Sequence, residues 1–189
     1  MPDRIAAATY LCAAASAGGE VRLTRAREDH LSAVTAALRE AGCAIESDSG
    51  GITCRCDGRL RSIAPVRTAP YPGFPTDAQP VLMAALLKAE GRTVITENIF
   101  ENRFRQVPEL QRLGADIVVS GRQAEIWGVD CLRGSALTAT DLRGGAAMLV
   151  AGLAAQGETT VFDDNHITRG YERFDMRLRS LGADIYLEC

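Results

Sequence analysis

Self-similarity along the chain constrains its fold more than any other feature of the sequence. The pattern L-R-x-x-G-x-x-I occurs as LREAGCAI (Leu38–Ile45), in looser form as LQRLGADI (Leu110–Ile117), and again as LRSLGADI (Leu178–Ile185). Its glycines, Gly42, Gly114 and Gly182, stand 72 and 68 residues apart. A second glycine (Gly19, Gly91, Gly157) precedes each by 23, 23 and 25 residues, and an aspartate (Asp3, Asp77, Asp141) precedes that one by 16, 14 and 16. Landmarks in fixed order at near-constant spacing mean one supersecondary unit used three times, over about residues 1–66, 67–132 and 133–189.

Each unit opens with a nearly all-apolar stretch between its aspartate and its first glycine: IAAATYLCAAA, VLMAALL and AAMLVAGLAA. Such uniformity does not suit a surface helix, so these predict helices buried on most sides, with aspartate as N-cap and glycine as C-cap. Short β-branched runs follow (GEVRL, RTVIT, ETTVF) and predict strands. Next comes a helix with one apolar stripe: Leu31, Val34 and Leu38; then Val107, Leu110 and Leu113; then Phe174, Leu178 and Leu181. Another strand leaves each terminal glycine (CAIES, ADIVV, ADIYL), and a turn and further strand (GITCRC, QAEIWG) follow in the first two units.

The economical packing puts the three buried helices together, with sheets and amphipathic helices outside, in a pseudo-threefold α/β arrangement. Units two and three carry extended sequence ahead of their aspartates (SIAPVRTAPYPGF, GSALTA), whereas unit one begins at Met1-Pro2-Asp3 and unit three stops at Cys189 directly after its ADIYLEC strand. The repeat therefore predicts strands missing at both ends.

A chain of 189 residues that is 47% hydrophobic and 24% charged is long enough for one good core, and disorder is excluded. With 21 basic against 24 acidic residues spread along its length, it shows no footprint for nucleic acid or an anionic membrane. The apolar start is alanine-rich and shorter than a membrane span, and Asp3 and Arg4 lead into it. The six cysteines, Cys12, Cys43, Cys54, Cys56, Cys131 and Cys189, lack the density of a disulfide scaffold and the spacing of metal ligands. A reduced, cytoplasmic protein without structural metal is the expectation.

Plain N-capping is the first reading of Asp3 and Asp141. Asp77 differs, because it ends the segment TAPYPGFPTD, where Pro70, Pro72, Gly73 and Pro75 fix an irregular path that a simple connector would not need. Arg103 and Arg169 fall in corresponding strand-to-helix turns, TENIFENRFRQVPEL and DDNHITRGYERFD. Forked hydrogen bonds from the two arginines to one small dianion, or pairing with Glu101 and Glu172, both fit. Lys88 is the only lysine, so nearly all positive charge is guanidinium, through genome composition or selection for such contacts. His166 reads as a packed or loop histidine, and Tyr171 and Trp127 as core or rim aromatics.

TAPYPGFPTDAQ, TENIFENRF with VPEL after it, ATDLRGGAAMLVAGLAAQG, and HITRGYER followed by LGADI closely resemble the UDP-N-acetylglucosamine enolpyruvyl transferases. These move an enolpyruvyl group from phosphoenolpyruvate to the sugar 3-hydroxyl, the first committed step of peptidoglycan synthesis. The shikimate-pathway transferase shares the fold and is the weaker relative.

The resemblance implies an inside-out α/β barrel of three βαβαββ units and no metal or organic cofactor. It covers only the second part of the family sequence, so the loop with the catalytic cysteine lies outside the chain, and none of the six cysteines aligns with it. By the same resemblance Asp77 is the carboxylate beside the sugar 3-hydroxyl. Thr76, Ile99 through its backbone, and Phe100 line the sugar site. Arg103 and Arg169 belong to the cationic set around phosphoenolpyruvate, and Asp3, Asp141 and Arg143 match charged positions near the interdomain cleft. The expectation is an enolpyruvyl transferase polypeptide lacking a domain and inactive alone. A truncated paralogue that binds without turnover, or a half-enzyme needing a complementary domain or self-association, are the alternatives.

Overall fold

A helix with no polar face has to be covered, and here three such helices pack on one another, the middle one buried throughout. The computed structural model describes residues 3–188. Its first unit runs α1 (Arg4–Ala17), β1 (Gly19–Thr24), α2 (Ser32–Ala41), β2 (Ala44–Asp48) and β3 (Gly51–Cys56). The second has β4 (Val66–Arg67), a 3₁₀ turn (Thr76–Ala78), α3 (Gln79–Ala85), β5 (Arg92–Thr96), α4 (Val107–Arg112), β6 (Asp116–Ser120) and β7 (Gln123–Trp127). Then follow β8 (Leu132–Arg133), β9 (Ala136–Thr138), α5 (Leu142–Gly152), β10 (Ala155–Gln156), β11 (Thr160–Phe162) and α6 (Phe174–Ser180). Helices α1, α3 and α5 pack on each other, and every residue of α3 is buried.

The aspartates enter these helices in two different ways. Asp3 accepts from the amides of Ile5 and Ala6 at 2.8 and 3.1 Å, and Asp141 accepts from those of Arg143 and Gly144, both at 2.9 Å. Both are N-caps, as expected. Asp77 is not. It sits inside the 3₁₀ turn and caps nothing, because Pro80 stands where Ala6 and Gly144 supply the second amide and proline has no N–H to donate. The expected glycine C-caps are corrected as well. α1 ends on Gly18, one residue before Gly19, while α3 and α5 end on Leu86 and Leu153. Gly91 and Gly157 lie farther on, at turns into the next strand with φ of 98° and 83°.

Sheets flank the helices. β1-β3-β2 is antiparallel, and in β4-β5-β7-β6 the short β4 joins β5 in parallel. β9 pairs with β11, and β8 with β10, both in parallel. Close backbone approaches tie the second and third units together internally. A Cβ on Gly134 would fall 2.0 Å from the Glu158 carbonyl oxygen, and one on Gly128 would fall 1.5 Å from that of Ala89. Helices inside and sheets outside match the expected inside-out order. Among the described residues the sheets stay separate hydrogen-bonded sets and no closed barrel forms.

The outer helices bury the expected stripe except in unit three, where Phe174 and Leu178 are buried but Leu181 is exposed. The ADIYL segment is no strand. In the first two units the equivalent strands, β2 and β6, are paired only by the strand that follows them, and unit three offers none within the 189 residues. Cys12, Cys43, Cys54 and Cys56 are buried and unbridged, burial pushing the Cys12 thiol up, and Cys189 lies outside the described residues. Among the described residues no helix is long and apolar enough to cross a membrane, and no His, Cys, Asp or Glu group could hold a metal ion.

Two substitutions separate capping from packing. Asp141→Ala should cost about 0.5–2 kcal/mol and Leu82→Ala, at a fully buried site, about 2–5 kcal/mol in urea unfolding. A reversed order would contradict this account of the central helices.

Candidate active site

Freed from capping, Asp77 becomes the meeting point of two arginines. Its Oδ1 accepts from Arg103 Nη2 at 2.6 Å and its Oδ2 from Arg143 Nη2 at 3.4 Å. The two guanidinium side chains are 18% and 17% exposed and the carboxylate 39%, so the cluster opens to solvent on the carboxylate side. Each arginine also lies over an aromatic ring, Arg103 over Phe100 at 5.6 Å and Arg143 over Tyr171 at 5.8 Å. Arg103 comes from the loop before α4, Arg143 from the first turn of α5, and Asp77 from the turn before α3.

Behind Arg143 the hydrogen bonds run in one direction. Arg143 Nη1 donates to the Tyr171 hydroxyl at 3.3 Å, and the buried Thr9 hydroxyl donates to the Ile5 carbonyl at 3.0 Å. With its proton so used, Thr9 can only accept from Tyr171, 2.9 Å away. Tyr171 therefore accepts from the arginine and donates to helix α1, while its ring stacks on Phe174 at 4.6 Å. Residues of all three units thus hold Arg143 against Asp77.

A second group of contacts centres on Glu97, which directly follows β5 and is buried. It binds Thr68, Thr76 and the amides of Ile99 and Phe100. Beside it a cleft of about 270 Å³ opens between the loop before α4 and the β6–β7 turn, lined by Phe100, Asn102, Arg103, Arg105 and Arg122 among others.

The structure thus joins Asp77, Thr76, Ile99, Phe100, Arg103 and Arg143 in one region. Arg169 is exposed and makes no hydrogen bond or ion pair among the described residues. Neither Arg103 nor Arg169 pairs with the nearby glutamates: Glu101 faces Arg122 at 3.6 Å and Glu172 faces Arg177 at 2.7 Å. Asp3 and Asp141 serve their own helices. Glu97 and Thr9 escaped the sequence reading. A signal for Glu97 existed, since the inward positions of β5 are Thr93 and Ile95 and the next in phase is Glu97. Thr9, one hydroxyl in an alanine-rich helix, carried none.

Residues 1–178 match the family profile described as EPSP synthase (3-phosphoshikimate 1-carboxyvinyltransferase). The UDP-N-acetylglucosamine 1-carboxyvinyltransferase of Novosphingobium aromaticivorans is 51% identical over 98% of the chain and 43% of its own length. UDP-N-acetylglucosamine 1-carboxyvinyltransferase 2 of Caldanaerobacter subterraneus subsp. tengcongensis is 48% identical over 98% of the chain and 44% of its own length. The chain thus spans less than half the length of these relatives. Among solved structures, the enolpyruvyl transferase NikO from Streptomyces tendae superposes with a TM-score of 0.86 at 32% identity, over 98% of this chain and 44% of that one. EPSP synthase from Acinetobacter baumannii, with a TM-score of 0.72 at 21% identity over 98% of this chain and 44% of that one, shares the fold.

The directed chain behind Arg143 can be tested by Tyr171→Phe, which keeps the ring stack and leaves Thr9 and Arg143 each short of a partner. Urea unfolding should show a loss of about 1–3 kcal/mol. A change below about 0.3 kcal/mol would mean that the hydroxyl holds nothing.

Proposed function

Because the chain belongs to the EPSP synthase family of 1-carboxyvinyl transferases, we propose that it supplies one side of a site that moves the enolpyruvyl group of phosphoenolpyruvate to the 3-hydroxyl of UDP-N-acetylglucosamine. The observation that carries this reading is the convergence of Arg103 and Arg143 on Asp77, in a chain about half identical to relatives named for that UDP sugar. Each oxygen of the Asp77 carboxylate has a lone pair beyond the one given to an arginine, so it can accept the sugar hydroxyl's proton as the hydroxyl oxygen adds to C2 of phosphoenolpyruvate and the C2=C3 π pair takes a proton at C3. Departure of phosphate from C2 with loss of a C3 proton then restores the double bond. Guanidiniums fixed beforehand around the departing phosphate stabilise the charge that develops there.

Thr76, the Ile99 backbone and Phe100 line the sugar site in this reading. Arg169, exposed here, joins the cationic set when the cleft closes over substrate. Residues 1–189 form one domain of three units, and a second domain supplies the remaining groups, either from the same polypeptide or from a partner. The reaction belongs in the cytoplasm. Phe162, Met176, Leu181, Tyr186 and Leu187, all exposed in the third unit, favour a complementary segment or self-association as their cover.

Phosphate release from phosphoenolpyruvate in the presence of the UDP sugar tests the reading. The 189-residue chain alone should release none, and the enzyme completed with the second domain should turn over. In that enzyme Asp77→Ala should lower kcat by at least about a hundredfold. Arg169→Lys should be nearly as damaging as Arg169→Ala, because an ammonium cannot reproduce the fork of a guanidinium. An Asp77→Ala enzyme within about threefold of wild type would sink the assignment.

A further inference from the structure

We propose that Glu97 is a positioning residue, a buried carboxylate that clamps together the two loops carrying Thr76 and Ile99–Phe100 and so sets the geometry of the sugar side of the site. What those loops bind rests on the enolpyruvyl-transfer reading. The clamp itself rests on hydrogen bonds. Glu97 is 1% exposed and has no cationic partner among the described residues. Its Oε1 accepts from Thr68 Oγ1 at 2.8 Å and from the amides of Ile99 and Phe100 at 2.8 and 3.1 Å. Its Oε2 accepts from Thr76 Oγ1 at 2.9 Å.

Burying a carboxylate away from water is strongly unfavourable unless its lone pairs are met, and an ionised carboxylate offers about four acceptor sites. Four neutral donors satisfy the group here, three sharing Oε1 and one on Oε2. No hydroxyl could serve so many donors. Thr68 is committed in turn, because its hydroxyl accepts from the Asn98 amide at 2.8 Å while donating to Glu97. The glutamate's own backbone is anchored by its amide, which donates to the Arg122 carbonyl at 2.8 Å.

The clamped loops carry the reacting groups. Thr76 directly precedes Asp77, Phe100 lies three residues before Arg103, and Asp77 and Arg103 meet at 2.6 Å. Ile99 and Phe100 are held by their amides, yet the residues are 38% and 52% exposed. Anchoring by these amides keeps both residues in one place beside Arg103, whose guanidinium lies over the Phe100 ring, and so preorganises whatever this loop presents to a ligand.

Two measurements test the clamp. In the chain itself, Glu97→Ala should speed amide hydrogen exchange at Ile99 and Phe100 at least about tenfold, while Glu97→Gln should stay within about threefold. The glutamine oxygen can take the three-donor position, and the Thr76 hydroxyl can reverse to accept from the new amide. In the completed enzyme, Glu97→Ala should raise KM for UDP-N-acetylglucosamine about tenfold or more with KM for phosphoenolpyruvate within about threefold, and Glu97→Gln should restore it.

Unchanged exchange, or an equal rise in both KM values, would overturn the proposal. If Glu97→Ala does not fold, Thr68→Val removes one of the four donors to Glu97 together with the acceptor of the Asn98 amide, and exchange at Phe100, which bonds only to Glu97, should quicken by at least about threefold; no quickening overturns it equally. A wild-type enzyme that transfers no enolpyruvyl group would refute the activity reading, and the exchange arm would still decide the clamp.

Discussion

Everything in this molecule depends on α1, α3 and α5 having no face fit for water. Helix α3 is buried at every position, so it can exist only between the other two, and their close packing sets where each helix begins. The start of α3 thereby comes within hydrogen-bond reach of the start of α5, with Asp77 3.4 Å from Arg143. Arg143 reaches Tyr171, and Tyr171 reaches Thr9 on α1. Polar groups from three helices meet because apolar faces left them no other arrangement. A charge cluster supported by a close-packed core is held in place without rearrangement when a ligand arrives, which is what electrostatic stabilisation of a transition state requires.

The repeat makes the exceptional position visible. Asp3, Asp77 and Asp141 are the same landmark in three copies, and two of them do the ordinary work of an N-cap. In the second unit Pro80 withdraws an amide, the carboxylate turns away from its own helix, and two arginines take it up. The nearly lysine-free composition suits such a place, because guanidinium groups can satisfy a carboxylate and an aromatic face at once.

Much of this was legible in the sequence, and the gaps have physical causes. The three buried helices followed from uniformly apolar runs, the outer stripes of the first two units from helical spacing, and the strands from β-branched runs placed by the repeat. Asp77 stood out through its proline-bound approach, yet the consequence of Pro80 for capping was also readable and was missed. The pairing of Arg103 with Arg143 across units was not legible, since it depends on how α3 and α5 pack, and repeat symmetry pointed to Arg169 instead. The last strand of unit three failed because a strand is made by its neighbour as much as by its own residues. The TENIFENRF run bore the resemblance to the transferases, but Glu97 within it gave up its role only when its four donors could be located.

The central claim is that helix packing brings Asp77 and Arg103 into direct electrostatic contact. A double-mutant cycle on the 189-residue chain, with Asp77→Asn, Arg103→Gln and both together followed by urea unfolding, measures that contact most directly. Coupling between the two positions should exceed about 0.5 kcal/mol and weaken as salt is raised. Single effects that add to within about 0.3 kcal/mol at low salt would show that the two side chains do not meet in solution, and the site described here would not exist.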